Sequence, residues 1–346
     1  MRSLSLILLA LCLAAQQPPQ FHPGKVWLDT SGKPIQAHGG GILLHNDVYY
    51  WYGEDKSLGN LNKTGMACYS SRDLYSWKRE GVVLPKDAMP EEFRDSGVCE
   101  RPKAIYNATT RKFVMWMHLD DRLYSVASAG VATADSPTGP FRFVRSFRPI
   151  RYDFGYPLID RTHQAEMGNT FRDMNLFVDD DGRAYVFYAA EGNPTMYVAR
   201  LNGDFTGIET PPVQGATWQR IQVKQSREAP APFKYRGKYY LISSGTTGWD
   251  PNPASYAVAD NIFGPWTVKG NPCVGSGSET TFDSQSTYVL PAPGKDPAAF
   301  IYMGDRWLKN NLADSRYVWL PFRMRDDGSF RLEWREQWDL TDLRPR

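Results

Sequence analysis

The sequence predicts an all-β protein folded as a five-bladed β-propeller, and three observations predict it. A hairpin grammar recurs five times: a polar start, an apolar strand, a tight turn, then a strand dense in aromatic and branched residues. A second, weaker repeat of small-residue strands leading to a turn and an aromatic falls between the copies. No long stretch carries a sustained 3.6-residue apolar period, so little helix is expected. A two-sheet sandwich is the structural alternative.

Taken in order, Arg2 stands before an apolar run from Leu4 to Leu13, and Leu13-Ala14-Ala15 offers a small-residue cleavage point. Residues 1–15 read as a signal peptide, too short to span a bilayer, which predicts a secreted or periplasmic protein. Cys12 suggests a lipoprotein, but Leu11 is too large for such a cleavage site. Residues 16–346 read as one domain, expected to act as a monomer, and no linker divides them. The 40 basic and 38 acidic residues leave a formal net charge of +2 without any basic run, which argues against nucleic acid and membrane surfaces as partners. Cys68, Cys99 and Cys273 allow at most one disulfide and carry no zinc spacing; buried free thiols are expected.

The five copies begin at His38, Glu100, Asp173, Glu228 and Gln285, separated by 62, 73, 55 and 57 residues, about one four-stranded blade each. Their turns hold Asn46-Asp47, residues 107–111, Asp180-Asp181-Gly182, Arg236-Gly237 and Gly294-Lys295. The weaker repeat is Met66 to Ser71 with Trp77, Gly130 to Ala134 with Phe141, and Tyr256 to Ala259 with Trp266; these suit outer strands. The connection 147–171 is the main insertion and is expected to cover a site. The segments starting at Arg316 and Leu332 should complete the ring. Asp179-Asp180-Asp181-Gly182 lacks the further ligands of a calcium loop and reads as a hairpin tip. Asn62-Lys63-Thr64 and Asn107-Ala108-Thr109 match glycosylation sequons.

In a propeller the innermost strand of each blade starts near the central channel, so His38, Glu100, Asp173, Glu228 and Gln285 should converge. Three carboxylates, an imidazole and an amide among aromatics suit binding and hydrolysis of a sugar. One carboxyl must stay protonated to assist the leaving oxygen, and clustered like charges raise its pKa. Each residue also has a plain structural reading. In that reading Glu228 pairs with Arg227, Asp173 with Arg172, and Glu100 with Arg101 or Lys103, while Gln285 simply hydrogen-bonds the sugar or the backbone. Glu191, at the end of the Asp173 hairpin, is a candidate to reach the pocket. So are Trp249 and Asp250, as a stacking and hydrogen-bonding loop.

Arg172-Asp173-Met174, Arg227-Glu228-Ala229-Pro230 and Gln285-Ser286-Thr287-Tyr288 resemble glycoside hydrolase family 43. With His38-Gly39-Gly40-Gly41, Glu100-Arg101-Pro102-Lys103, Thr247-Gly248-Trp249-Asp250 and Gly304-Asp305-Arg306-Trp307, the resemblance runs through nearly the whole chain after residue 15. It is most similar to the exo-β-1,3-galactanase subgroup and its bacterial β-galactosidase-like relatives. The resemblance implies inverting hydrolysis of an oligo- or polysaccharide, with Glu228 as general acid and Asp173 as the carboxylate that orients it and raises its pKa. Glu100 is implied to bind hydroxyls of a terminal galactose. The wider family's base, an Asp on the first blade, is replaced here by His38-Gly39-Gly40. The subgroup's base, a glutamine acting through its imidic-acid tautomer, is matched by Gln285. No cofactor or metal ligand set is implied, and a structural cation in the central channel stays open. An α-L-arabinofuranosidase or β-xylosidase is the alternative activity, and a non-catalytic sugar-binding propeller the alternative class.

Overall fold

The computed structural model describes residues 19–60, 64–94, 97–152, 168–294 and 296–344. The proposed leader at 1–15, the sequon residues Asn62 and Lys63, and residues 153–167 of the long connection lie outside the described residues.

Five antiparallel sheets follow one another along the chain. The first holds β1 (His38–His45), β2 (Val48–Glu54), β3 (Gly65–Ser71) and β4 (Lys78–Pro85). The second holds β5 (Val98–Asn107), β6 (Lys112–Asp120), β7 (Ser128–Ala134) and β8 (Arg142–Phe147). The third runs through β9 (Arg172–Val178), β10 (Ala184–Ala190), β11 (Thr195–Arg200) and β12 (Trp218–Ile221). The fourth holds β13 (Arg227–Tyr235), β14 (Lys238–Gly245), β15 (Ser255–Ala259) and β16 (Thr267–Gly270). A two-stranded parallel pair, β17 (Cys273–Val274) with β21 (Leu332–Glu333), flanks the fifth sheet of β18 (Gln285–Pro291), β19 (Ala299–Arg306) and β20 (Arg316–Arg323). Each sheet is a blade with its first strand innermost, and β1, β5, β9, β13 and β18 neighbour one another around the axis. The arrangement is a five-bladed β-propeller, not a sandwich.

Why these strands read as nearly continuous apolar runs follows from the packing. Both faces of every blade are covered by the next blade, so alternate residues feed two different cores. One apolar cluster fills each blade-to-blade junction. Tyr52, Met66 and Cys68 meet Met115 and Met117 between blades one and two; Val114 and Trp116 meet Leu176 and Val186 between two and three. Tyr185 and Phe187 meet Leu241 between three and four, and Phe233 meets Phe300 and Val318 between four and five. The fifth cluster closes the ring. Trp51 and Trp77 of blade one pack on Trp319 of blade five, with Phe21 bridging to Trp338 by backbone hydrogen bonds. Closure is thus carried by aromatic packing between the first and last blades. Cys68, Cys99 and Cys273 are buried thiols.

One irregularity recurs where it matters. In blades one to four the inner strand bulges just after its first residues: two residues face one between His38 and Gly41, Glu100 and Lys103, Arg172 and Asn175, and Glu228 and Ala231. The first bulged residue is Gly39, Arg101, Asp173 or Ala229, each left-handed, with φ of 58°, 56°, 37° and 53°. A bulge of this kind bends the strand and re-aims the side chains beside it. The structural equivalent of Glu100 and Glu228 in blade three is therefore Arg172. Asp173 lies one position further on, on the bulge itself.

Candidate active site

At the mouth of the channel lies a pocket of about 470 Å³, and Glu54, Glu100, Arg101, His118, Tyr124, Asp173, Asn193, Glu228, Trp249, Gln285 and Trp307 are among the residues lining it. Three sources supply them. Inner-strand starts give Glu100, Arg101, Asp173, Glu228 and Gln285. Antiparallel pairing brings the end of each second strand beside those starts, adding Glu54 and His118, and Ser244 behind Gln285. The loops that follow the second strands add Tyr124, Asn193, Trp249 and Trp307.

Glu228 is 7% exposed. One carboxyl oxygen, Oε1, accepts from Gln285 Nε2 at 3.1 Å, and Oε2 accepts from Asn193 Nδ2 at 3.2 Å. Burial, reinforced by the negative charge of Asp173 and opposed by Arg101 and the Gln285 hydrogen bond, pushes its pKa up to about 8. Arg227 does not pair with it; its guanidinium turns to the carbonyls of Ser243 and Pro253. Asp173 likewise ignores Arg172. Its Oδ2 lies 3.2 Å from Arg101 Nη2, while Arg172 reaches Asp120 at 3.3 Å. Arg227 and Glu228, neighbours in extended backbone, point to opposite faces, and the left-handed bulge at Asp173 re-aims its carboxylate away from Arg172.

Arg101 is the hub of the site, a role that its place in the sequence does not announce. Its Nη2 also donates to Gln285 Oε1, its Nη1 to the Ser286 carbonyl at 3.0 Å, and its backbone N–H to Glu54 Oε1 at 3.0 Å. The Trp307 indole N–H donates to the same Gln285 oxygen at 2.9 Å.

Glu100 accepts from the Tyr124 hydroxyl at 2.9 Å and lies 3.4 Å from His118 Nδ1. Burial alone would raise its pKa, but His118, Lys56 and Tyr124 outweigh it and hold the carboxyl at about 2. Burial likewise opposes charge on His118, yet hydrogen bonds to Asp120 and Glu100 lift the imidazole to about 9. Glu100, His118 and Asp173 bring ligand-type atoms within 4.8 Å of one another. Both nitrogens of His118 face carboxylates, Nε2 3.0 Å from Asp120 and Nδ1 3.4 Å from Glu100. Lys103, buried between the inner strands of the first two blades, donates to the Gly39 carbonyl at 2.7 Å; burial beside Arg101 pulls its pKa down to about 7.

Three residues that the sequence places in the pocket, His38, Glu191 and Asp250, stand outside its lining. His38 is wholly buried, with Nδ1 3.1 Å from Asp305 and its ring stacked on Tyr317. It braces Trp307 from behind at 5.8 Å. Glu191 is also fully buried. Arg220 grips both its oxygens at 2.6 and 3.0 Å and the Tyr197 hydroxyl adds a bond at 2.7 Å. Asp250 is exposed on the rim and pairs with Lys309 at 2.6 Å. Trp249, beside it, does line the pocket, edge-on to Trp307 with ring centres 4.9 Å apart. Asp179 opens the β9–β10 hairpin turn and is held by Lys234 and Tyr239, in keeping with a structural tip.

The chain's similarities agree with this chemistry. The model for glycosyl hydrolases family 43 matches residues 41–287. A family 43 β-1,3-galactosidase solved with galactodeoxynojirimycin is 41% identical with a TM-score of 0.84, over 92% of this chain and 100% of that one. An exo-β-1,3-galactanase from Clostridium thermocellum is 38% identical with a TM-score of 0.80, over 92% of this chain and 66% of that one. A β-xylosidase of Xylanibacter ruminicola is 31% identical over 255 residues, 60% of this chain and 73% of the relative. A propeller whose channel mouth holds a buried glutamate among acids and tryptophans, matched by that family over most of its length, is a glycosidase, and the chain belongs to glycosyl hydrolase family 43.

Proposed function

We propose that this protein is an exo-acting glycosidase that removes terminal galactose from β-1,3-galactan chains, inverting the anomeric centre. The state of Glu228 carries the reading: a buried carboxyl at the channel mouth that keeps its proton near neutrality. Such a group protonates a departing sugar oxygen, a contribution of about 10²–10⁴ in rate. Asp173, fixed by Arg101, keeps that proton in place through its own charge and orients the acid. Glu100, ionised and held by Tyr124 and His118, accepts hydrogen bonds from the hydroxyls of the terminal sugar. Trp249 and Trp307 offer apolar walls to its C–H faces. Gln285 enters through its contact with Glu228. The similarity to β-1,3-galactosidases and galactanases supports galactose as that sugar.

The β-xylosidase relative favours a second reading, cleavage of pentosides. L-Arabinopyranose lacks only the hydroxymethyl group of galactose, so one pocket contact decides between them. Initial rates on β-1,3-galactobiose and on aryl galactoside, arabinosides and xyloside test this. The highest kcat/KM is expected on the galactosides, and faster pentose release would overturn the assignment. If none of these is hydrolysed while sugar still binds, the propeller is a lectin. Export through a leader at residues 1–15 and a monomeric state belong to the same proposal; the N-terminal mass of protein recovered from a secreting host and sedimentation velocity test them.

A further inference from the structure

A second cleft, of about 460 Å³, lies on the fourth blade at the end away from the channel mouth, where the turn at residues 325–329 crosses it from the fifth blade. β13 runs from Glu228 at the mouth to Tyr235 in this cleft, roughly 20 Å further along the strand.

Three tyrosines build it. Tyr235, Tyr240 and Tyr256 share one face of β13, β14 and β15: Tyr240 pairs with Phe233 on one side and Val258 on the other, each two residues from a further tyrosine. Their exposures are 5%, 1% and 8%. The rings belong to the apolar junction with blade five, where Tyr240 stacks on Phe233 with centres 5.0 Å apart and Tyr256 lies 4.6 Å from Phe330. A tyrosine buried this deeply usually finds its hydroxyl a partner. None of these three hydroxyls bonds to a described residue, yet none is sealed from solvent, in contrast to the Tyr188 hydroxyl. Gly328 leaves the room they need. A Cβ there would stand 2.9 Å from the Tyr240 hydroxyl oxygen, and its φ of 77° favours glycine.

Charge at the rim is balanced: Lys238 pairs with Asp260, Arg236 stands 3.7 Å from Asp326, and Lys269 and Asp327 complete the set. An anion gains nothing from such a rim. A neutral polyol does fit, because each tyrosine hydroxyl both donates and accepts, as sugar hydroxyls do. Few polar groups on an apolar wall are also the usual make-up of a small-molecule site.

We propose that this cleft is a second, non-catalytic sugar-binding site that holds a unit of the β-1,3-galactan substrate outside the active site. Galactan as the ligand rests on the proposed function; the tyrosines themselves ask only for a sugar. A long or branched chain reaches both the cleft and the channel mouth, so the second contact raises the local concentration of chain ends and is silent on a disaccharide.

The test removes two hydroxyls and keeps their rings, in the double variant Tyr240→Phe with Tyr256→Phe. Affinity electrophoresis through gels holding β-1,3-galactan is run in a Glu228→Gln background, so that the polymer persists. The parent should be retarded, and the double variant should bind the galactan about three- to tenfold more weakly. With Glu228 intact, KM on galactan should rise by a similar factor, while kcat/KM on β-1,3-galactobiose stays within about twofold of wild type. Equal migration of parent and double variant would overturn the proposal, as would an equal loss on galactobiose, which marks a structural defect. Should the double variant fail to fold, Lys269→Ala, on the exposed wall of the cleft, reads the same weakening with no buried residue altered. A wild type that leaves galactobiose uncleaved fails the proposed function instead, and the gels still report the cleft, because retardation needs no turnover. Retardation in arabinoxylan but not in galactan would contradict galactan as the ligand.

Discussion

Arg101 and Asp173 face each other at 3.2 Å across the junction of the second and third blades, each on the left-handed first residue of its own bulge. Two successive bulges thus turn a cation and an anion inward at one level of the channel mouth, and Gln285 completes the contact. Left-handed backbone costs a non-glycine residue about 1–2 kcal/mol. Gly39, at the equivalent place in blade one, avoids that cost, whereas Arg101 and Asp173 bear it while supplying charge to the site.

Arg101→Met should therefore strand the partly buried carboxylate of Asp173 and an amide oxygen together. Loss of one partner of a fully buried pair costs about 3–5 kcal/mol, so a cost at or below the low end of that range is expected, measurable as a lower denaturation midpoint. Arg101→Lys keeps the charge but not the fork of donors, so kcat is expected to fall far more than stability does.

The Glu228 proton sets a pH dependence of stability. Its folded pKa of about 8 stands above an ordinary value of 4.5, so the folded state binds the extra proton between them. That contribution is complete below about pH 4.5 and is lost as pH rises through about 8. Glu228→Gln should melt progressively higher than wild type as pH climbs across this window, with the difference flattening above it. A constant difference from pH 5 to 9 would contradict the burial argument.

Glu191→Gln separates a scaffold residue from a sugar ligand. With Arg220 losing its bidentate partner, stability should drop by about 3–5 kcal/mol. Turnover and KM of the folded enzyme should stay as in wild type. A raised KM would return Glu191 to the pocket.

Ring closure rests on Trp319, whose ring centre lies 4.9 Å from Trp51, 5.0 Å from Trp27, 6.0 Å from Phe21 and 6.2 Å from Trp77. Trp319→Ala is expected to cost about 3–5 kcal/mol. Equilibrium urea unfolding checks it, with a cost below about 1 kcal/mol speaking against closure by aromatic packing.

The propeller is legible in the sequence because its hairpins carry strong local signals, tight-turn residues between runs such as Val48 to Tyr52 and Ala184 to Tyr188 that must be apolar on both faces. Glu100, Glu228 and Gln285 are legible because inner strands begin at the channel. Half the site is not. Glu54, His118 and Ser244 come from strand ends, and their relevance emerges only once antiparallel register sets them beside the next start. Tyr124, Asn193 and Trp307 sit on loops whose direction no periodicity encodes. Asp173 looks like the counterpart of Glu228, but the bulge shifts it by one residue, which the repeat alone does not reveal. Glu191 misleads because a glutamate at a strand end reads the same whether it faces sugar or Arg220.

Proton NMR of the reaction with β-1,3-galactobiose, recorded before mutarotation, tests Glu228-driven inversion most directly. Wild type is expected to release α-galactose first, with Glu228→Gln releasing none on the same timescale. First appearance of β-galactose, or undiminished galactose release by Glu228→Gln, would contradict it.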